Sequence, residues 1–228
     1  MFSSTRAIFF DLDGTLVNTI PLIFSCYEHT LSRHLPRFRP SRQIIVSNLG
    51  RSLNDILRDY AVSAGVEDPD AESDAMVETY RAFQRMNLDR LIEPYPGMAE
   101  ALAGLRDRGY LLGLVTSKVE WAARMSYDRY GLGDYLSVLV FHDETVNHKP
   151  HPEPLLLAAA RAGVRPEQAA YVGDSIHDMR AGRAAGMRTI GALWGPSEAV
   201  ELNEAGADVL AHTPDSLLAL LPGTAPRG

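Results

Sequence analysis

Residues 7–16 read AIFFDLDGTL, in which an apolar run of four residues leads directly into two aspartates and a glycine. The run Ala7–Phe10 is short and uninterrupted, as expected of a strand that is buried on both faces of a sheet. Side chains at i and i+2 of an extended chain point to the same side, so Asp11 and Asp13 are expected to face one ligand. Gly14 then supplies a tight turn. The stretch therefore predicts a buried strand that ends in a pair of carboxylates.

This carboxylate pair indicates chemistry as well as structure. Two carboxylates so close together resist double ionisation unless a cation sits with them or one keeps its proton. The first outcome yields a metal ligand and nucleophile, and the second yields a general acid. A strand end with an ordinary Asp-Gly turn remains the alternative when this motif is considered alone.

The rest of the chain alternates short strands with helices of about ten residues. Further strands are predicted at Leu111–Val115, Ser137–Phe141, Ala169–Val172, Thr189–Leu193 and Asp208–Leu210. Helices are predicted at Met98–Arg108, Glu120–Tyr130, Pro154–Ala162, Ile176–Ala185 and Glu198–Ala205. This alternation is typical of an α/β protein with a Rossmann-like, doubly wound parallel sheet. Such sheets bind ligands at the carboxyl ends of their strands, which is where Asp11 stands.

One long interval interrupts the alternation. Residues 18–94 have little strand signal, and their spacing predicts helices over 21–35, 51–64 and 70–91, with prolines between them. We therefore expect a small α-helical cap domain, residues 18–94, inserted after the first strand. Residues 1–17 and 95–228 would form the catalytic core.

Composition excludes several classes of protein. The 228 residues carry 22 Lys+Arg against 29 Asp+Glu, a net charge of −7 with no basic run, which argues against nucleic-acid binding. Cys26 is the single cysteine and stands in a helical packing pattern, so it fits a reducing compartment without disulfides. No apolar run approaches the ~20 residues that span a bilayer. We expect a cytoplasmic protein with neither nucleic-acid nor membrane partners, and its oligomeric state remains open.

A second acidic motif, GDSIHD at residues 173–178, follows another predicted strand. Asp174 is expected at the mouth of the next helix and Asp178 one turn further along. Acidic residues also suit helix N-termini for purely structural reasons, but this does not explain four carboxylates at two strand ends. An oxygen-ligand site for Mg²⁺ explains them better. His177, between the two aspartates, is expected at the surface.

Two further segments carry candidate phosphate-binding groups. Thr116 and Ser117 follow a strand, and Ser117 with Glu120 matches an S-x-x-E capping box that predicts a helix start. The free backbone N–H groups of such a turn also suit a phosphate. Lys149 stands in the proline-stiffened loop HKPHPEP at residues 148–154. It is a candidate for an anchored positive charge, and a solvated lysine is the alternative.

Together and in this order, the four segments resemble the haloacid dehalogenase-like hydrolase superfamily, and the helical insert resembles its type-1 cap. The resemblance implies that Asp11 is the nucleophile and Asp13 the acid/base. It implies that Thr116, with the adjacent Ser117 backbone, and Lys149 hold the transferring phosphate. For Mg²⁺, it implies direct binding by Asp11 and Asp174, support from Asp178, and the backbone carbonyl of Asp13.

The resemblance implies a Mg²⁺-dependent phosphohydrolase that forms an aspartyl-phosphate on a small phosphorylated metabolite, similar to phosphoglycolate phosphatase. Inorganic pyrophosphatase is the alternative, because Asn18 and the stretches at 27–31 and 79–83 look similar to a bacterial pyrophosphatase branch. A β-phosphoglucomutase-like mutase is a further alternative. A Mg²⁺-binding module without catalysis ranks below these, because it leaves Thr116 and Lys149 unexplained.

Arg51 is the candidate for substrate specificity. It stands in the glycine-containing loop NLGRSL at residues 48–53, between two predicted cap helices. Its forked guanidinium suits a second anionic group on the substrate, either a carboxylate or another phosphate. A solvated arginine at a helix start is the equally weighted alternative.

Overall fold

The computed structural model describes residues 2–223 without the side chain of Asp89, and its centre is a six-stranded parallel sheet. The strands are β1 (Ala7–Phe10), β4 (Leu111–Val115), β5 (Val138–Val140), β6 (Ala169–Gly173), β7 (Arg188–Ala192) and β8 (Val209–Ala211). Their spatial order is β5-β4-β1-β6-β7-β8. The predicted α/β fold is confirmed, and the structure adds the strand order, in which β1 lies between β4 and β6.

Helices cover both faces of this sheet. They are α5 (Met98–Asp107), α6 (Glu120–Tyr127), α7 (Glu153–Ala162), α8 (Ile176–Ala184), α9 (Ala199–Ala205) and α10 (Ser216–Leu220). Side chains of β1 alternate between two apolar clusters: Ile8 and Phe10 join the one that contains α5, and Phe9 joins the one that contains α7. All of β1 is buried, because each face of the strand packs under helices.

The insert after β1 is helical, as predicted, and contains one more helix than the sequence indicates. It consists of α1 (Ile20–His34), α2 (Arg42–Asn48), α3 (Leu53–Ser63) and α4 (Pro69–Leu91). The unpredicted helix α2 begins after Ser41, whose hydroxyl accepts a hydrogen bond from the Ile44 N–H. The helix predicted from Arg51 begins at Leu53 instead. Hydrophobic residues of α1, α3 and α4 belong to one apolar cluster with the α5 side of the core.

A short antiparallel pair joins the two ends of the insert. It is formed by β2 (Val17–Asn18) and β3 (Glu93–Pro94), which are too short for the sequence pattern to reveal. Both connections of the helical insert therefore run side by side. Residue 1 and residues 224–228, assigned by the sequence analysis to the core, lie outside the described residues. Over residues 2–223, none of the helices combines the length and apolarity needed to cross a membrane.

Candidate active site

Three buried aspartates meet at the carboxyl ends of β1 and β6. Asp11 directly follows β1, Asp174 directly follows β6, and Asp178 lies in the first turn of α8. One carboxylate oxygen from each of the three lies within 4.8 Å of the other two, which is compact enough for a single metal ion. The two acidic motifs therefore meet because their strands are neighbours in the sheet.

Lys149 supplies the cation in this cluster. Its ammonium donates to Asp11 Oδ1 and to Asp178 Oδ1, both at 2.7 Å, and to the Tyr171 hydroxyl at 3.0 Å. Only 3% of Lys149 is exposed, so the solvated alternative is wrong. Burial alone would lower the pKa of Lys149, but Asp11 and Asp178 outweigh it and hold that pKa well above its usual range.

The three carboxylates titrate differently because only some have compensating partners. Burial, together with the neighbouring Asp178, raises the pKa of Asp11 to about 7 although Lys149 opposes the shift. Burial raises the pKa of Asp174 well above its usual range. Burial has the same effect on Asp178, but Lys149 and hydrogen bonds from Ser175 outweigh it, so its pKa is lowered. The single positive charge of Lys149 thus does not offset the cost of burying three negative charges.

Asp174 shows that the cluster suits a metal ion. Its Oδ1 accepts a hydrogen bond from the Thr15 hydroxyl at 2.6 Å, whereas its buried Oδ2 has no hydrogen-bond partner among the described residues. Gly14 has a φ of +86°, and a Cβ there would lie 2.4 Å from Asp174 Oδ2, so a side chain at this turn would fill the space beside the unpartnered oxygen. Carboxylate oxygens without protein partners are the ligands that Mg²⁺ prefers.

Asp13 lies in a different environment from these three. Its Oδ1 accepts hydrogen bonds from Lys118 Nζ and from the Thr19 hydroxyl, each at 2.5 Å. Its side chain does not belong to the three-carboxylate cluster. Lys118 is a site residue that was not predicted from the sequence, and its position two residues after Thr116 is the signal that points to it.

A cavity of about 330 Å³ opens above this site, between the core and the helical insert. Its lining contains five predicted site residues, which are Asp11, Asp13, Arg51, Thr116 and Ser117. Lys149, Asp174 and Asp178 do not line it and lie buried beneath. All eight predicted residues are thus at the cavity or directly below it.

Two local predictions are wrong. Ser117 does not cap a helix: α6 begins after Val119, and the Ser117 hydroxyl donates to the Gly50 carbonyl at 2.6 Å. His177 is buried instead of exposed, and its Nε2 lies 3.0 Å from the Ser47 carbonyl. Ser117 contacts the loop that follows α2 and His177 contacts the last turn of α2, and the local sequence reveals neither tertiary neighbour.

Arg51 lies on the cavity with its guanidinium already engaged. It donates to Asn48 Oδ1 at 2.6 Å and to Asp59 Oδ2 at 2.7 Å. These contacts hold the side chain against the end of α2 and against α3. A role for Arg51 in binding an anion therefore requires it to share or exchange these partners.

Comparison with known proteins identifies relatives of this arrangement. The family model described as haloacid dehalogenase-like hydrolase matches residues 8–192. The pyrophosphatase PpaX of Bacillus pumilus is 37% identical over 216 residues, covering 95% of this chain and 93% of the relative.

Solved structures share the same architecture. A haloacid dehalogenase-like family hydrolase from Streptococcus pneumoniae matches with a TM-score of 0.80 and 25% identity, over 95% of this chain and 98% of the other. A structure described as a predicted phosphoglycolate phosphatase from Haemophilus somnus matches with a TM-score of 0.81 and 24% identity, over 96% and 99%.

Proposed function

This chain belongs to the haloacid dehalogenase-like hydrolases, and from that premise we propose that it is a Mg²⁺-dependent phosphohydrolase that forms an aspartyl-phosphate on Asp11. The observation that carries the proposal is the pairing of Asp11 with Lys149 beside the unpartnered oxygen of Asp174. Phosphoryl transfer needs a nucleophilic carboxylate, an anchored cation and an oxygen atom that is free to bind a metal ion.

The chemistry follows from the charges. An Asp11 carboxylate that attacks a phosphate meets repulsion of roughly 4 kcal/mol per charge pair at 4 Å, with an effective dielectric constant near 20. Mg²⁺, when bound, would offset this repulsion. We assign it to Asp11, Asp174 and Asp178, with the backbone carbonyl of Asp13. Lys149 holds a fixed positive charge next to the attacking oxygen.

Transfer proceeds in two steps that balance. An Asp11 oxygen bonds to phosphorus while the bond to the leaving oxygen breaks, and the Asp13 carboxyl gives that oxygen a proton. Water then attacks the phosphorus and gives a proton to Asp13, while the bond between phosphorus and the Asp11 oxygen breaks and releases Asp11 as the carboxylate. Thr116 and Ser117, which line the cavity beside Asp11, are assigned to the phosphate oxygens.

Pyrophosphate ranks ahead of phosphoglycolate as the proposed substrate. The relative with 37% identity is named a pyrophosphatase, whereas the phosphoglycolate phosphatase match lies below 25% identity and carries the fold alone. A cavity near 330 Å³ is at the small end of ligand sites, which also suits a compact substrate. We further propose residues 18–94 as the cap domain, and a cytoplasmic location.

Release of inorganic phosphate tests this function. Purified protein is incubated with pyrophosphate, phosphoglycolate, hexose phosphates, nucleotides and p-nitrophenyl phosphate, with Mg²⁺ or with a chelator. We expect Mg²⁺-dependent release, fastest from pyrophosphate. Mutase activity on a hexose phosphate would contradict hydrolysis, and no activity on any substrate would favour a non-catalytic Mg²⁺-binding protein.

Thermal stability provides a test of the metal site that does not need turnover. The raised pKa values of Asp11 and Asp174 mean that the folded, metal-free protein binds more protons than the unfolded chain. Its stability therefore falls as pH rises from about 4 through 7. Mg²⁺ competes with these protons, so it should raise Tm more at pH 8 than at pH 6.

The expected increase in Tm follows from the free energy with which Mg²⁺ binds the folded protein. At a hundred times its Kd, a ligand stabilises by about 2.7 kcal/mol, or roughly 5–10 °C for a chain of this length. Differential scanning fluorimetry measures the shift, and Asp174→Asn is the control that should lose most of it. An equal Mg²⁺ shift in wild type and in this variant would contradict the assignment.

Replacing Asp13 with asparagine separates the proton donor from the nucleophile. Alkyl phosphates need a proton on the leaving oxygen, whereas p-nitrophenolate leaves without one. We expect kcat to fall by about 10²-fold or more on phosphoglycolate, which is an alkyl phosphate, and much less on p-nitrophenyl phosphate. Equal losses on both substrates would count against Asp13 as the acid.

A further inference from the structure

One face of α4 lines the cavity opposite the catalytic aspartates. Val77, Tyr80, Arg81 and Gln84 all contact the cavity, at the i, i+3, i+4 and i+7 spacing of a single helical face. Val77 and Tyr80 are buried apolar packing residues. Arg81 and Gln84 are polar, and neither is explained by the proposed chemistry at Asp11.

Arg81 is a half-buried cation that forms no ion pair with any residue in the described part of the chain. No hydrogen bond or ion pair joins it to any residue in the described part of the chain, whereas Arg51 is held by Asn48 and Asp59. Lys118, the other basic residue on the cavity, is paired with Asp13. Arg81 is thus the one cavity cation within residues 2–223 whose charge is free for a ligand.

Gln84 is a second observation that points to a ligand. Only 4% of this residue is exposed, and no hydrogen bond joins its amide to another group within residues 2–223. Its amide atoms are not among the fully buried polar atoms that lack a partner, so the amide keeps access to the cavity that the residue lines. An amide that has no protein partner and reaches the cavity is available to hydrogen-bond to a ligand there.

We propose that Arg81 and Gln84 form a subsite for a second anionic group of the substrate, the one that does not react. This inference rests on the proposed function and names the class of substrate: a phosphate ester or anhydride with another phosphate or a carboxylate. The Arg81 guanidinium donates a forked pair of hydrogen bonds to two oxygens, and the Gln84 amide donates to another.

The acidic residues on the cavity do not prevent this. Asp74 and Glu78 also line it, but both are exposed, and Asp74 accepts a hydrogen bond from Asn54. Water and salt therefore screen their repulsion of an anion. Arg81 is half-buried, so its attraction is screened less.

Substrate comparison tests the subsite. Arg81→Ala and Gln84→Ala are assayed with pyrophosphate, phosphoglycolate and p-nitrophenyl phosphate, the last of which has no second anion. We expect Arg81→Ala to raise KM for a substrate with a second anion by about tenfold or more, and to change p-nitrophenyl phosphate turnover less than about twofold. Gln84→Ala should act in the same direction with a smaller effect. The larger KM effect, on pyrophosphate or on phosphoglycolate, identifies the anion that the subsite takes.

Arg85→Ala is the matched control. Arg85 lies on the same helix, is exposed, and stacks over Trp121 at 4.3 Å instead of lining the cavity. It should leave all three substrates unchanged. A uniform loss on every substrate with Arg81→Ala, or no loss on any, would overturn the subsite.

Binding measurements separate this inference from the proposed function. If wild type hydrolyses none of the three substrates, the phosphohydrolase proposal fails, and calorimetry with pyrophosphate and orthophosphate still tests the subsite. Tenfold weaker binding of pyrophosphate to Arg81→Ala, with orthophosphate unchanged, supports it. Equal weakening of both ligands, or of neither, overturns it. Arg81 has no partner to lose, so an unchanged Tm is expected in the variant.

Discussion

Asp11→Asn is expected to lower kcat by about 10⁴-fold or more on every phosphate substrate, because the amide has the shape of the carboxylate without its nucleophilic charge. The asparagine oxygen still accepts from Lys149, which now lies 2.7 Å from Asp11 Oδ1. Burial raises the pKa of Asp11, so ionising this carboxyl destabilises the metal-free fold and the neutral amide avoids that cost. We therefore expect a Tm at neutral pH that is unchanged or higher in the metal-free protein.

Steady-state kinetics and thermal melts measure the two effects on one preparation. Acid-quenched protein incubated with labelled pyrophosphate should carry phosphate in the wild type and none in Asp11→Asn. If the variant kept more than a small fraction of wild-type activity, the covalent route through Asp11 would be wrong.

Lys149→Ala is expected to have a large effect on both stability and turnover. Lys149 is 3% exposed and forms ion pairs with both Asp11 and Asp178. Its removal therefore leaves two buried carboxylates without the cation that they share. Breaking a buried ion pair in this way typically costs about 3–5 kcal/mol. Loss of a fixed charge beside the transferring oxygens should also lower kcat by about 10²-fold or more and raise the apparent requirement for Mg²⁺.

Chemical denaturation and Mg²⁺ titration of kcat measure these losses. The control is Arg124→Ala, which breaks the exposed pair with Glu120 and should cost less than about 1 kcal/mol. If Lys149→Ala were no less stable than this control, Asp11 and Asp178 would not depend on the lysine. If it retained a normal kcat, Lys149 would have no part in transfer.

Motifs adjacent to strands could be recognised from the sequence alone. The alternation of strands and helices predicts the parallel sheet, and its topology brings Asp11 and Asp174 together because β1 and β6 are neighbours. Asp11 and Asp174 each directly follow their strand. The parallel register of β1 and β6 therefore brings both side chains to the same edge of the sheet. The helical nature of residues 18–94 was also evident, because amphipathic spacing is a local property.

Features that depend on contacts between distant segments could not be predicted. Ser117 matches a capping box, yet its hydroxyl donates to the Gly50 carbonyl, and His177 contacts the Ser47 carbonyl in the last turn of α2. The short helix α2 and the paired strands β2 and β3 are too brief to show periodicity, so tertiary neighbours decide them.

Arg51 and Arg81 show most clearly what the sequence determined and what the tertiary structure determined. The sequence by itself indicated Asp11 and Asp174 as candidate site residues, because each directly follows a strand that the hydrophobic pattern predicts, and it indicated Lys149 through its proline-stiffened loop. Only the tertiary structure decided which of the two arginines in the helical insert is engaged by neighbouring side chains within residues 2–223. Arg51 is engaged by Asn48 and Asp59, whereas Arg81 faces the cavity without a partner in the described structure. Partner choice among long charged side chains depends on through-space distance and burial, which no local spacing encodes.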